Sequence, residues 1–181
     1  MRFILIAVIS ILSTLALGLA LPDLTPRATV IRPEIAVVIK EDFPNTPFPT
    51  NIAEVSRTNG AHSVKTLLGF VVPPCTGTCT ISFSDAFTPS GSRRMQLFTT
   101  GRYPASSDTW NWKPYTDRYL GTLLVSPTGA GPAVIVDGND FWFTFGCPAI
   151  TVNLGYELDP VWDDLFVSWD ITKGGLIITC G

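Results

Sequence analysis

Four carboxylates, Glu157, Asp159, Asp163 and Asp164, crowd one short stretch with Trp162 among them. A glycosidase works with two carboxyl groups about 5 to 10 Å apart across a sugar, and an aromatic ring beside them helps to hold it. The same stretch also reads as an acidic loop, since Asp159-Pro160 opens a turn and aspartate favours turns. A second group is aromatic: Tyr103, Trp110, Trp112, Tyr115 and Tyr119 surround Asp108, Asn111 and Lys113. In an extended chain Trp110 and Trp112 share a face, because side chains repeat every two residues. Two such indoles, with Tyr115 nearby and Asp108, Asn111 and Lys113 at the rim, suit stacking on sugar rings. Their other reading is that these rings cap the end of a core, where aromatic side chains usually go.

Nucleophilic catalysis has little to work with. His62 is the only histidine, and the chain carries no Gly-x-Ser-x-Gly elbow. The four cysteines, Cys75, Cys79, Cys147 and Cys180, are an even set that reads as two disulfides, with three pairings open. A zinc site would need reduced thiolates, and a Cys-x-x-x-Cys pair followed by two scattered cysteines matches finger spacings poorly. No metal and no cofactor is therefore expected. Cys75 and Cys79 can join only if Thr76-Gly77-Thr78 turns back, because four extended residues span about 13 Å and a disulfide allows about 7 Å. Counting by twos places Cys147 with Phe145, and Cys180 with Ile178 and Leu176, towards the core. The expected pairing is 75–79 with 147–180.

The elements that position these residues are short strands. Apolar residues alternate at Cys79-Ile81-Phe83, Phe141-Phe143-Phe145, Ile150-Val152-Leu154 and Leu165-Val167-Trp169-Ile171, which gives each strand one core face. Further strands are expected at 34–40, 63–72, 94–98, 119–125, 133–136 and 175–180. Asn59-Gly60, Pro73-Pro74, Ser90-Gly91, Asp137-Gly138 and Gly174-Gly175 separate them. Asp137-Gly138 between Val134-Ile135-Val136 and Phe141 is the plainest hairpin signal. The expected fold is all-β, an antiparallel β-sandwich or jelly-roll-like single domain with two disulfides. Residues 21–50, rich in proline, read as an extended arm with one edge strand, and 51–181 as the sandwich.

Composition narrows the partners. The 181 residues carry 12 Lys and Arg against 15 Asp and Glu, a formal charge of −3. Nothing there forms the clustered basic face that nucleic acid or an anionic membrane needs. Residues 1–20 read as a signal peptide: Arg2, an apolar run from Phe3 to Leu17, and the small residues Gly18 and Ala20 before a cleavage point. That run is short of the roughly twenty apolar residues of a membrane span. The mature chain is expected outside the cytosol, extracellular or bound to a cell wall, with no stable membrane insertion. Its expected partner is wall polysaccharide or an extracellular protein.

Several segments resemble the But-two C-terminal domain: Val55 to Gly60, Leu67 to Phe70, Val72-Pro73, Gly77 to Phe83, Ser90 to Ser92, Phe145 to Pro148, Tyr156 to Leu158 and Gly174 to Cys180. That domain occurs in small fungal proteins, many of them secreted. The resemblance covers about residues 51 to 181. It implies a β-sandwich-like domain with structural cysteines and no established set of catalytic residues. The family takes its name from binding a ubiquitin-type activating enzyme, a partner inside the cell and across a membrane from any secreted member. The function these observations imply is non-enzymatic, with wall or carbohydrate binding first and a small secreted glycoside hydrolase or protein-binding effector as alternatives.

Overall fold

The structure is a computed structural model that describes residues 28–138 and 140–181. The leader expected at 1–20 and the start of the arm lie outside the described residues. In chain order the strands are β1 Thr29–Ile31, β2 Ile35–Lys40, β3 Phe48–Pro49, β4 Ile52–Thr58, β5 Ala61–Val72, β6 Thr78–Ser84 and β7 Phe87–Gly91. They continue with β8 Arg94–Thr100, β9 Thr116–Leu124, β10 Val134–Gly138, β11 Thr144–Gly146, β12 Val152–Pro160, β13 Leu165–Asp170 and β14 Gly175–Cys180. A single 3-10 turn, Asp140–Phe143, precedes β11. Every strand pairing is antiparallel.

Two sheets pack face to face as a curled sandwich. The small one runs β1-β14-β6-β11. The large one runs β10-β9-β8-β12-β5-β4-β13-β7, with β2 and β3 joined to it through β5. Alternation sets the faces. Cys79, Ile81 and Phe83 of β6, with Leu176 and Ile178 of β14, meet Phe70, Leu97, Leu158, Val167 and Trp169 of the large sheet in one buried cluster. Phe83 meets Trp169 edge-on at 5.1 Å, and Phe70 meets Tyr156 at 5.6 Å, the geometry that aromatic quadrupoles favour.

Segment 29–49, read from sequence as an arm, belongs to both sheets: β1 pairs with β14 and β2 with β5. The run Ala36-Val37-Val38-Ile39 is buried throughout because both of its faces are covered. Ala36 joins the main core, while Val37 and Ile39 form a second small core with Leu67, against which Ile35 and Trp110 pack. β5 serves two neighbours along one edge: β2 takes residues 64–69 and β4 takes 61–64. Where β2 has claimed the backbone, the buried Thr66 hydroxyl holds β4 instead, donating to Glu54 O at 2.6 Å and accepting Glu54 N–H at 3.1 Å.

Two turn readings fare differently. Asn59 and Gly60 have φ of 50° and 73° and close the β4–β5 hairpin, the positive φ that an Asn-Gly turn supplies. The Asp137-Gly138 hairpin does not form. β10 pairs with β9, and Gly138, at φ 111°, lies where a Cβ would strike Gly121 and Leu120. Residues 141–143, expected as strand, form the 3-10 turn, which buries Phe143 and leaves Phe141 outside.

Candidate functional site

Four strands facing a much larger sheet leave part of it uncovered, and a cleft opens there. It holds about 400 Å³ between β6 and β11 on one side and β8, β9 and β12 on the other. Ile81, Leu120, Phe145, Leu154 and Tyr156 give it apolar walls. Phe141 and Trp142 of the 3-10 turn stand at its lip, 77% and 42% exposed. Polar groups converge at the opposite edge. The Thr99 hydroxyl donates to Asp117 at 3.0 Å and accepts the Arg118 backbone N–H at 3.0 Å, so three lining residues brace one another. A smaller hollow of about 180 Å³ shares Thr99, Leu154 and Tyr156 and runs on to Arg102, Tyr103 and Asn153.

Tyr156 belongs to both hollows and is almost wholly buried. Burial pushes its phenol far above the ordinary range, so it stays protonated and able to donate. An apolar trough with a few fixed polar groups at one edge, within the size range of ligand pockets, can orient a ring-shaped ligand bearing hydroxyls.

The four candidate carboxylates divide into two separate pairs. Glu157 and Asp159 lie in β12, not in a loop, on the face turned away from the main core. Lys65 of β5 spans them, 3.2 Å from Glu157 and 2.6 Å from Asp159, while Lys113 Nζ and the Thr116 hydroxyl reach Glu157 at 2.6 and 2.7 Å. Burial raises the pKa of Glu157, but Lys65, Lys113 and Thr116 outweigh it and hold the carboxyl below its ordinary value. Asp159 is pushed up to about 6, by burial first and then by Glu157 beside it. Its Oδ1 is buried without a partner. For Lys65, burial pulls down, and the two carboxylates more than compensate, raising the ammonium above its usual value.

Asp163 and Asp164 serve the neighbouring hairpin: Gly60 N–H donates to Asp163 O at 2.9 Å and Asn59 N–H to Asp164 Oδ1 at 3.0 Å. Trp162 is exposed under the Arg94 guanidinium, 4.8 Å from its ring. None of the four carboxylates lines either hollow.

The aromatic loop between β8 and β9 is not extended, so Trp110 and Trp112 do not project as a strand pair. Trp110 packs on the second small core with Lys65 Nζ 5.2 Å from its ring. Trp112 and Tyr115 are 76% and 69% exposed. The polar residues beside them have internal partners. Asp108 is buried, accepts both Arg102 guanidinium nitrogens, and accepts Ala105 N–H at 2.8 Å. Asn111 donates to Asn45 at 3.0 Å, and Lys113 is taken by Glu157. His62, at φ 56°, is exposed and paired with Asp42 at 2.9 Å.

The disulfides are Cys75–Cys147 and Cys79–Cys180, which replaces the expected 75–79 and 147–180. Lateral neighbours decide this. β6 runs between β14 and β11, so Cys79 faces Cys180 directly across the ladder, with Cα atoms 4.1 Å apart. Close Cα atoms mark the narrow, non-hydrogen-bonded type of antiparallel pair. Beyond β11, Cys147 N–H donates to Gly77 O and Cys75 N–H to Pro148 O, which brings Cys147 beside Cys75. All four sulfurs lie within 4.8 Å of one another.

Sequence reasoning missed Trp142, Asp117, Arg118 and Thr99 as site residues. The adjacent Phe141-Trp142 pair was a usable signal, since consecutive large aromatics cannot both face one core from a strand. The class these features define is an antiparallel all-β sandwich with two disulfides and an open cleft with aromatic side chains at its lip. No protein-family model matches the chain, and no curated protein matches it with significance. No helix among the described residues is long and apolar enough to cross a membrane.

Proposed function

We propose that this is a secreted, non-enzymatic, wall-associated carbohydrate-binding protein and that the inter-sheet cleft is its sugar site. The observation that carries the reading is Trp142 at the lip of a cleft whose far edge holds Thr99, Asp117 and Arg118. A pyranose offers an apolar face to an indole and a rim of hydroxyls to polar side chains, and the cleft supplies both. The non-enzymatic part draws support from the carboxylates. Glu157 and Asp159 are locked to lysines outside the cleft, and the Asp164 carboxylate staples a hairpin that Asp163 meets through its backbone carbonyl. Neither pair lines the cleft.

The test is retention of the oxidised protein on insoluble chitin, β-glucan and cellulose, with released reducing ends measured in the same tubes. Retention without release, lost in Trp142→Ala and kept in Trp112→Ala, is expected. Loss in Trp112→Ala alone would move the site to the exposed β8–β9 loop. Sugar release would overturn the non-enzymatic reading, and no retention on any of the three would turn the search to extracellular protein partners.

A further inference from the structure

We propose that the four cysteines, once reduced, form a tetrathiolate site for a soft divalent cation, Zn²⁺, so that one cluster holds either two disulfides or one metal ion. A tetrahedral ZnS₄ centre with Zn–S bonds of about 2.3 Å has S–S edges of about 3.8 Å. Two of the four edges between the disulfides already exist: Cys79 Sγ lies 3.6 Å from Cys75 Sγ and 3.7 Å from Cys147 Sγ. Reduction needs only to let each bonded pair move apart to the same spacing, within a cluster that already fits inside 4.8 Å.

The scaffold that gathers the sulfurs is hydrogen-bonded backbone. Cys79 and Cys180 are held opposite each other by the six-residue β6–β14 register. Cys75 and Cys147 are held by Cys75 N–H to Pro148 O at 3.2 Å and Cys147 N–H to Gly77 O at 3.1 Å. Gly181 N–H to Thr78 O at 3.1 Å secures the far end, where Gly77, at φ 89°, lets the chain pass close to Gly181. Cys79 and Cys180 are buried, whereas Cys75 and Cys147 are partly open, which gives an ion a way in. This gathering is what the scattered sequence spacing hid.

The chemistry balances. Two disulfides take up four electrons and four protons from two molecules of a dithiol reductant, which become two cyclic disulfides. Zn²⁺ then displaces the four thiol protons and binds four thiolates. Two molecules of a small-molecule disulfide reverse the sequence: they accept the four electrons, take four protons from solvent and leave as thiols, while both protein disulfides re-form and the ion is expelled.

The experiment takes the full chain reduced anaerobically with dithiol, desalts it, and titrates it with Co²⁺ and then Zn²⁺. The expected result is one Co²⁺ per chain with the visible bands of a tetrahedral tetrathiolate, displaced by Zn²⁺. On reoxidation Zn²⁺ should be released in step with thiol loss, as read by a chromophoric chelator. Far-UV circular dichroism runs in parallel. A reduced chain that is unfolded alone and folds on adding Zn²⁺ supports the site, since binding then drives folding. Cys75→Ser, which spares the β6–β14 pair of cysteines, should bind Co²⁺ at least tenfold more weakly and without the four-sulfur spectrum. A reduced chain that keeps its fold yet retains no metal, or that stays unfolded with Zn²⁺ present, overturns the proposal. So does Cys75→Ser binding as tightly as the parent.

Discussion

Asp159→Asn isolates a carboxyl that the fold holds in an unfavourable state at neutral pH. Asp159 goes from an ordinary pKa of 3.8 to about 6 on folding, driven by burial and then by Glu157. A raised acid binds protons more tightly when folded than when unfolded, so its contribution to stability is fullest below pH 3.8 and is lost as pH rises through 6. At 1.36 kcal/mol per pH unit, that displacement amounts to about 3 kcal/mol between pH 4 and pH 8. Asparagine imitates the protonated carboxyl, and its amide can turn towards the space where Oδ1 now has no partner. Lys65 keeps Glu157 as a counter-ion. The two proteins should therefore have similar urea midpoints near pH 4. By pH 8 the variant should lead by about 3 kcal/mol, read from tryptophan fluorescence at each pH. Parallel stability curves across that range would refute the reasoning.

Lys65→Met should cost about 3 to 5 kcal/mol at pH 7, because it leaves Glu157 and Asp159 buried together without their shared cation, and the deficit should shrink on acidification; chemical denaturation at two pH values checks it. Trp169→Ala should remove about 3 to 5 kcal/mol by emptying the centre of the sandwich against Phe83, seen as a lower thermal midpoint. Trp110→Ala should lower that midpoint and Trp112→Ala should not, because only Trp110 packs on the second core. Replacing Cys79 and Cys180 together by serine opens a link across 101 residues and should cost about 4 to 5 kcal/mol, measured by denaturation of the non-reduced protein.

The all-β class was legible because the core strands alternate so regularly. Cys79-Ile81-Phe83 and Leu165-Val167-Trp169 show their buried faces in the sequence, and both lie as expected. Asn59-Gly60 was readable because its turn is made by local backbone preference alone. What stayed hidden depends on neighbours far along the chain. Cysteine pairing follows from β6 having β14 on one side and β11 on the other, an order that alternation within a strand does not encode. β12 was cut short at Leu154 because Glu157 and Asp159 resemble a loop, and only the lysines from β5 and from the β8–β9 loop make them acceptable inside a sheet. Phe141, Phe143 and Phe145 have the spacing of a strand, but only Phe145 enters one, β11, which pairs with β6; Phe141 and Phe143 lie in the 3-10 turn that precedes it. That same departure puts Trp142 at the lip of the cleft.

The order of the small sheet also sets a timetable for biosynthesis. β14 lies between β1 and β6, so β1 has no strand to pair with until residues 175 to 180 leave the ribosome. At the usual 5 to 20 residues per second, the early strand waits on the order of ten seconds after its own synthesis. Until then the part of the large sheet that β14 and β1 cover lacks Leu176 and Ile178 of β14 in its core. A nascent chain arrested just before residue 175 would thus carry every strand of the large sheet but no closed sandwich, and quality control would meet it as an open, adhesive barrier to release.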